Sequence, residues 1–245
     1  MIAGWADSAQ RGWLLALVVV WAVLLFGSMI VGRWNEDESN RSPLWTRIAS
    51  SVVLVVAAWS GVAFVREGDS ARYALFIALG MTMGLIGDLF MAKLIPMENH
   101  VLGGMGAFGV GHVFYITAFL MLADSRGWAA PQIRWSALVV WLLIGLVLWY
   151  LVVFRPADER SVLHIAALPY ALLLAATTGF ATGLAIQATA FFPLVGAALF
   201  LLSDLLLAAG LFNGLHFKGI GDVIWATYGL AQMLIVYSLG VALSG

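Results

Sequence analysis

Residues 135–154 read WSALVVWLLIGLVLWYLVVF, an apolar stretch without a single Asp, Glu, Lys or Arg. About 20 such residues in a helix cross the hydrocarbon core of a bilayer. In the whole chain, 63% of the residues are hydrophobic and 10% are charged, whereas soluble domains contain about 45–50% apolar and about 25% charged residues. The stretch therefore predicts a transmembrane helix, and the composition predicts that most of the chain lies in a membrane.

Polar connectors flank this stretch at residues 124–134 and 155–160, and the same alternation continues along the chain in both directions. Between charged or proline-containing breaks we find eight apolar stretches long enough to cross a bilayer. They cover residues 12–31, 45–65, 72–92, 101–123, 135–154, 163–186, 190–212 and 223–243. We therefore predict an all-α polytopic membrane protein with eight transmembrane helices, in one integral membrane domain over residues 1–245. The first stretch is too long for the apolar region of a cleaved signal peptide, so we expect it to be retained.

Charge and cysteine content exclude several classes of function. The formal net charge is −1 and the chain contains no cysteine. Nothing therefore indicates nucleic acid as a partner, and disulfides, thiolate catalysis and zinc–sulfur sites are excluded. The four histidines show neither H-x-x-x-H nor H-E-x-x-H spacing, so we predict no metal site and no cofactor. No G-x-S-x-G nucleophile motif and no glycine-rich phosphate loop occurs either.

Two segments of the chain resemble each other at an offset of 116 residues. Residues 80–93 read GMTMGLIGDLFMAK, and residues 196–209 read GAALFLLSDLLLAA. The offset aligns Asp88 with Asp204 and places His112 opposite Tyr228. We therefore predict two four-helix halves in a parallel pseudo-repeat, since an even number of spans in each half gives both halves the same orientation.

Asp88 and Asp204 lie inside apolar stretches, although most charged residues of the chain lie in connectors. An aspartate at the centre of a transmembrane helix costs about 2.5–3.5 kcal/mol on insertion scales. One interpretation is a structural hydrogen bond between helices, and the other is a functional site. We favour the functional interpretation because ionisable residues within membrane spans mark proton relays, substrate pathways and similar sites.

Further polar residues within the spans are candidates for the same site. Helical spacing places His112 and Tyr115 on one face of the fourth span, and Tyr228 and Gln232 on one face of the eighth. Ser203 directly precedes Asp204. Each of these residues has a purely structural alternative, because helices in membranes also use histidine, glutamine and serine as hydrogen-bonding contacts.

Four segments resemble the YhhN-like family of lysoplasmalogenases, a family of eight-span membrane proteins of bacteria and animals. The segments are 84–93 (GLIGDLFMAK), 107–115 (AFGVGHVFY), 200–210 (FLLSDLLLAAG) and 227–238 (TYGLAQMLIVYS). Their order and separation are similar to the G-D, G/A-H-x-x-Y, S-D and Y-x-x-x-Q elements of that family. The resemblance runs from about the second to the eighth span, and each motif alone is short.

The resemblance implies a hydrolase of the vinyl ether bond in lysoplasmalogens, with a fatty aldehyde and a glycerophospho-alcohol as products. The implied partners are a lysophospholipid substrate and membrane lipids, and the implied location is the bacterial inner membrane, as a multi-pass protein. No sequence feature defines an oligomeric state.

Vinyl ether hydrolysis needs a general acid and a nearby anion, because protonation of the alkene carbon produces an oxocarbenium-like cation. Paired carboxyl groups perform this chemistry on the similar cation of glycosidases. We therefore assign catalytic roles to Asp88, Asp204 and His112. We expect substrate binding by Tyr115, Ser203, Tyr228 and Gln232. The alternative is a small-molecule or proton-coupled transporter, because paired acids within a membrane also suit proton relays.

Overall fold

The computed structural model describes residues 7–157, 159–188 and 191–244. Within these ranges eight helices are long and apolar enough to cross a bilayer, so the chain is an integral, multi-pass membrane protein. They are α1 (Ser8–Val31), α2 (Leu44–Phe64), α3 (Gly68–Met91), α4 (His100–Ser125), α5 (Pro131–Phe154), α6 (Val162–Ala188), α7 (Phe192–Asn213) and α8 (Ile220–Tyr237). A short helix, α9 (Leu239–Ser244), follows. The prediction of an all-α, eight-span protein is confirmed.

Each predicted span overlaps one of these helices, and the largest difference is at the end of the eighth. That span was predicted as one helix over residues 223–243, whereas α8 ends at Tyr237. Between α8 and α9 the buried Ser238 bonds to the carbonyl oxygen of Ile235 and to the Tyr73 hydroxyl group (2.6 Å). The first, third and fifth helices each begin four residues before the predicted start, at Ser8, Gly68 and Pro131. The predicted start of the seventh span, residue 190, lies outside the described residues.

Local sequence explains several helix ends. The side chains of Asp7 and Asn99 accept hydrogen bonds from backbone N–H groups in the first turns of α1 and α4, as N-cap residues do. Pro131 begins α5, where its missing N–H group leaves no hydrogen bond unmade. Gly214 ends α7 in the left-handed conformation (φ 64°), which glycine adopts without strain. These signals set the lengths of the spans independently of the membrane.

The two halves pack with the same register. Gly80 of α3 contacts the ring of Tyr115 in α4, and Gly196 of α7 contacts the backbone of Ala231 in α8, the residue that an offset of 116 places opposite Tyr115. Likewise, Gly87 faces Phe108, and Ser203 bonds to the residue equivalent to Phe108, Ile224. Between the halves α4 packs on α6, and α2 on α8. The internal repeat of the sequence is therefore also a repeat of helix contacts.

Helices α3, α4 and α8 form the centre of the bundle, and α5 lies at its edge. Half of the residues of α8 are buried (50%), compared with 17% of the residues in the most apolar 18-residue stretch of α5. Large apolar side chains of α5, such as Val139 and Leu143, are exposed and suited to lipid contact. Helices α1, α3, α5 and α7 all finish at one end of the bundle, which we call the proximal end. Asp88 lies three residues before the end of α3, and Asp204 nine residues before the end of α7.

Candidate functional site

Asp88 is an almost completely buried carboxylate between α2, α3 and α8, with 3% of its surface exposed. Ser51 of α2 donates a hydrogen bond of 2.6 Å to its Oδ2 atom. The hydroxyl group of Tyr228 in α8 lies close to this carboxyl group. Ser51 therefore provides the hydrogen bond that the cost of burying a polar group requires.

A chain of hydrogen bonds beside Asp88 runs from Tyr228 in α8 to α4. The amide nitrogen of Gln232 donates to the Tyr228 hydroxyl oxygen (3.2 Å), and the amide oxygen of Gln232 accepts from the hydroxyl group of Tyr115 (2.6 Å). Gly84 leaves room for the amide, since a Cβ atom at this position would clash with Gln232. The structure thus joins three predicted site residues, Tyr115, Tyr228 and Gln232, into one buried network beside Asp88.

Asp204 occupies a different environment from Asp88, because it is only half-buried. Tyr170 of α6 donates a hydrogen bond to its Oδ2 atom. The charge of Asp204 acts on Asp88 electrostatically, but the two acids have different hydrogen-bond partners, Tyr170 for Asp204 and Ser51 for Asp88. Of the two acids, only Asp204 borders open space.

That space is a half-open groove between α4, α5, α6 and α7, which we call the four-helix groove. Its cavity volume is about 90 Å³, within about 770 Å³ of free space that includes the part open to the surroundings. Its lining is almost entirely aliphatic and aromatic, and Asp204 provides its one carboxyl group among the described residues. Met91, Phe108 and Tyr170 lie beside Asp204 on the wall. Such a groove suits a hydrocarbon chain whose polar end reaches Asp204.

His112 is buried in α4, and its hydrogen bond defines its tautomer. Its Nδ1 atom lies 3.0 Å from Oγ1 of Thr177 in α6. The single hydroxyl proton of Thr177 is donated to the carbonyl oxygen of Leu173, so Nδ1 of His112 carries the hydrogen and donates it to Thr177. The Nε2 atom of the neutral ring then has a lone pair to offer, and it has no hydrogen-bond partner in the described part of the chain.

His112 lies beside the network rather than within it. Its ring packs edge-on against Phe200 of α7, with the ring centroids 4.5 Å apart, and within 6.3 Å of Tyr170. Ser203 lies apart from the acids: its hydroxyl group donates to the carbonyl oxygen of Ile224 (3.1 Å) and so ties α7 to α8. This contact gives Ser203 a packing role. Within the described ranges, no three His, Asp or Glu side chains converge as metal ligands would.

Three residues that contact the candidate site did not emerge from the sequence: Ser51, Tyr170 and Thr177. Each is a hydroxyl-bearing residue within an apolar span, and each bonds to a candidate residue of a neighbouring helix. The chain contains many such residues, so residue type alone does not single these out. The repeat could have pointed to Ser51 and Tyr170, because α2 and α6 occupy equivalent places in the two halves and each supplies a hydroxyl donor to the acid of the next helix.

Comparison with known proteins gives one match. A family model described as the YhhN family matches residues 42–239, which is most of the chain. The matched region contains both acids, His112 and the whole hydrogen-bond network. Neither the comparison with curated proteins nor the comparison with solved structures gives a match.

Proposed function

Because the chain belongs to the YhhN family, we propose that it is a hydrolase that cleaves the vinyl ether bond of lysoplasmalogen-type lysophospholipids. The products are a fatty aldehyde and a glycerophospho-alcohol. The observation that carries the proposal is the position of Asp204, a carboxyl group at the wall of an otherwise apolar groove, with Asp88 nearby. A substrate chain in the four-helix groove brings a bond at its polar end next to this carboxyl group.

In this proposal Asp204 acts as the general acid because it borders the groove. Its proton is transferred to the alkene carbon next to the one that bears the ether oxygen, and the π electrons form the new C–H bond. The resulting oxocarbenium ion carries a positive charge, which the carboxylates of Asp204 and Asp88 offset. The low dielectric of the surrounding apolar side chains strengthens this stabilisation.

Water then adds to the oxocarbenium carbon, and Asp204, now a carboxylate, takes the proton of that water. This change of role from acid to base occurs in the same form in retaining glycosidases. The hemiacetal collapses when Asp204 protonates the leaving glycerol oxygen and the hemiacetal hydroxyl proton returns to the carboxylate. One water is consumed, Asp204 ends protonated as it began, and the products are the aldehyde and the alcohol.

The remaining candidate residues support Asp88 in this scheme. Ser51 donates a hydrogen bond to Asp88, which favours an anion at this position. Tyr115 and Gln232 hold the hydroxyl group of Tyr228 beside this carboxyl group. The Nε2 atom of His112 offers an acceptor on the side of the Tyr170 ring, suited to a water or to a substrate hydroxyl group.

The test is turnover by the purified protein in detergent, with a lysoplasmalogen as substrate and an aldehyde-dependent dehydrogenase as the readout. We expect Asp204→Asn to lower kcat by about 10²- to 10⁴-fold, the usual contribution of a general acid. Asp124→Asn, at an exposed ion pair far along α4, is the matched control and should keep full activity. Full aldehyde release by Asp204→Asn at normal expression would refute the mechanism. Turnover without a sealed membrane would also exclude obligatory transport, which is the alternative function.

A further inference from the structure

Arg47 is a half-buried cation in the first turns of α2, at the proximal end of the bundle. Its guanidinium group lies over the ring of Trp225 in α8, 5.3 Å from the ring centroid, and its Nη1 atom donates to the side-chain oxygen of Asn40 (3.2 Å). It forms no salt bridge with the described residues, and its buried Nε atom has no hydrogen-bond partner among them. A guanidinium group has five N–H donors, and among the described residues Asn40 is the one hydrogen-bond acceptor that the structure gives Arg47.

The carboxylates closest to Arg47 are already engaged by other donors. Asp222 interacts with Arg47 electrostatically, but its two oxygens accept hydrogen bonds from the backbone of Arg41 and from Ser42. Asp88, the other acid that interacts with Arg47 electrostatically, accepts a hydrogen bond from Ser51. Arg47 is therefore held near two negative charges without being paired to either of them.

From this arrangement we propose that Arg47 binds the phosphate group of the lysophospholipid substrate and thereby sets the preference for phosphorylated over neutral ether lipids. The inference rests on the proposed function and adds to it a residue that recognises the head group. The planar fork of a guanidinium group matches two oxygens of a phosphate, and the ring of Trp225 beneath it reduces competition from water.

Arg47 lies on the same side of the bundle as Asp88. It precedes Ser51, which contacts Asp88, by one helical turn, so the two side chains share a face of α2 about 6 Å apart along its axis. Trp225 beneath Arg47 also packs against Tyr228 (5.5 Å between ring centroids), so aromatic side chains connect Arg47 with the carboxylate network.

The first experiment compares two substrates that differ only in the phosphate: an alkenyl lysophosphatidylcholine and an alkenyl glycerol with the same chain. We expect Arg47→Gln to lower kcat/KM for the phospholipid by about 10- to 100-fold, mainly through KM, as the loss of a charge-assisted hydrogen bond does. The value for the neutral lipid should change less than about threefold, and Arg47→Lys should restore part of the loss because it keeps the charge. An equal loss on both substrates, or no loss on either, would overturn the proposal.

Arg33→Gln is the matched control, because Arg33 is exposed at the same end of the bundle and the change in net charge is identical. It should leave both substrates unaffected, and a loss equal to that of Arg47→Gln would show a general effect of surface charge and overturn the assignment.

A second experiment measures equilibrium binding to the purified protein and needs no turnover. The probes are an alkyl lysophosphatidylcholine, which has no vinyl ether bond to hydrolyse, the matching alkyl glycerol, and inorganic phosphate. Arg47→Gln should weaken the binding of the phospholipid alone. Selective weakening in a protein that hydrolyses no ether lipid would support the phosphate site and refute the proposed reaction. Displacement of the phospholipid by inorganic phosphate at equal concentration would assign the site to free phosphate and overturn the assignment to a lipid.

Discussion

The hydroxyl group of Tyr170 in α6 donates a hydrogen bond to the carboxylate of Asp204 in α7. The first half of the chain contains the corresponding contact, from Ser51 in α2 to Asp88 in α3. In both halves the second helix therefore provides a hydroxyl donor for the acid of the third. The donors differ in size and in position, because the offset of 116 residues places Ser51 opposite Ala167, one turn before Tyr170. The halves share an arrangement of helices and differ in the environment of the acid.

The hydroxyl group of Tyr170 should matter for turnover more than for substrate binding. We expect Tyr170→Phe to lower kcat by about 10- to 100-fold with little change in KM, because the ring still lines the groove while Asp204 loses its charge-assisted donor. The measurement is steady-state aldehyde release. Tyr150→Phe, which removes a hydroxyl group from an exposed ring stacked on Phe154, is the control. Unchanged kcat in Tyr170→Phe would contradict the assigned role of this hydrogen bond.

Thr177 should determine the tautomer of His112. In the wild-type protein we expect the nitrogen resonances of the imidazole to show hydrogen on Nδ1, because Thr177 accepts that hydrogen. Thr177→Val removes the acceptor, so the Nε2–H form should become populated. Nitrogen NMR of ¹⁵N-histidine-labelled protein measures this, and only four histidines contribute signals.

Thr178→Val is the control for this experiment, because Thr178 bonds to the carbonyl oxygen of Leu174 within its own helix. It should leave the spectrum of His112 unchanged. If Thr177→Val also leaves the tautomer unchanged, the contact does not set it.

Filling the four-helix groove should shorten the chain that the protein accepts. Ala208 lies on the groove wall, one turn beyond Asp204. We expect Ala208→Phe to raise KM for a long-chain lysoplasmalogen by about tenfold or more, because each methylene group kept from its apolar contacts costs about 0.8 kcal/mol. Short-chain substrates should be affected less. Leu202→Phe, at a lipid-exposed position of the same helix, should leave KM unchanged for both long-chain and short-chain substrates. If Ala208→Phe raised KM equally for long-chain and short-chain substrates, the hydrocarbon chain of the substrate would bind outside the groove.

Close contact between α3 and α4 should depend on Gly80. A Cβ atom at this position would overlap the ring of Tyr115, which is buried and hydrogen-bonded to Gln232. We expect Gly80→Ala to destabilise the protein by about 1–3 kcal/mol, the usual cost of overpacking. Thermal unfolding in detergent measures the effect. Gly106→Ala, where nothing lies within 4 Å of the added atom, should change little. Equal unfolding temperatures for the two variants would show that Tyr115 moves aside without cost.

The fold was predictable from the sequence because the bilayer imposes a simple condition on it. A span must be apolar over about 20 residues and must satisfy its backbone internally, so composition and length alone indicate eight helices. The end of α8 was not predictable in this way, because Ser238 interrupts the helix through a contact with Tyr73, a residue distant in sequence. The repeat was visible in the sequence because aspartate is rare within the apolar spans, so that the alignment of Asp88 with Asp204 stands out.

By itself, the sequence determined the class of protein, the two acids and their equivalence within a repeat, because a carboxyl group in an apolar span is costly and therefore conspicuous. Only the tertiary structure decided that Asp204 borders a groove while Asp88 lies enclosed, and that Ser203 bonds to a backbone rather than to the site. It also selected Tyr170 and Arg47 from the many polar residues of the chain. The physical reason is that exposure and hydrogen-bond partners arise between helices, where residues distant in sequence meet.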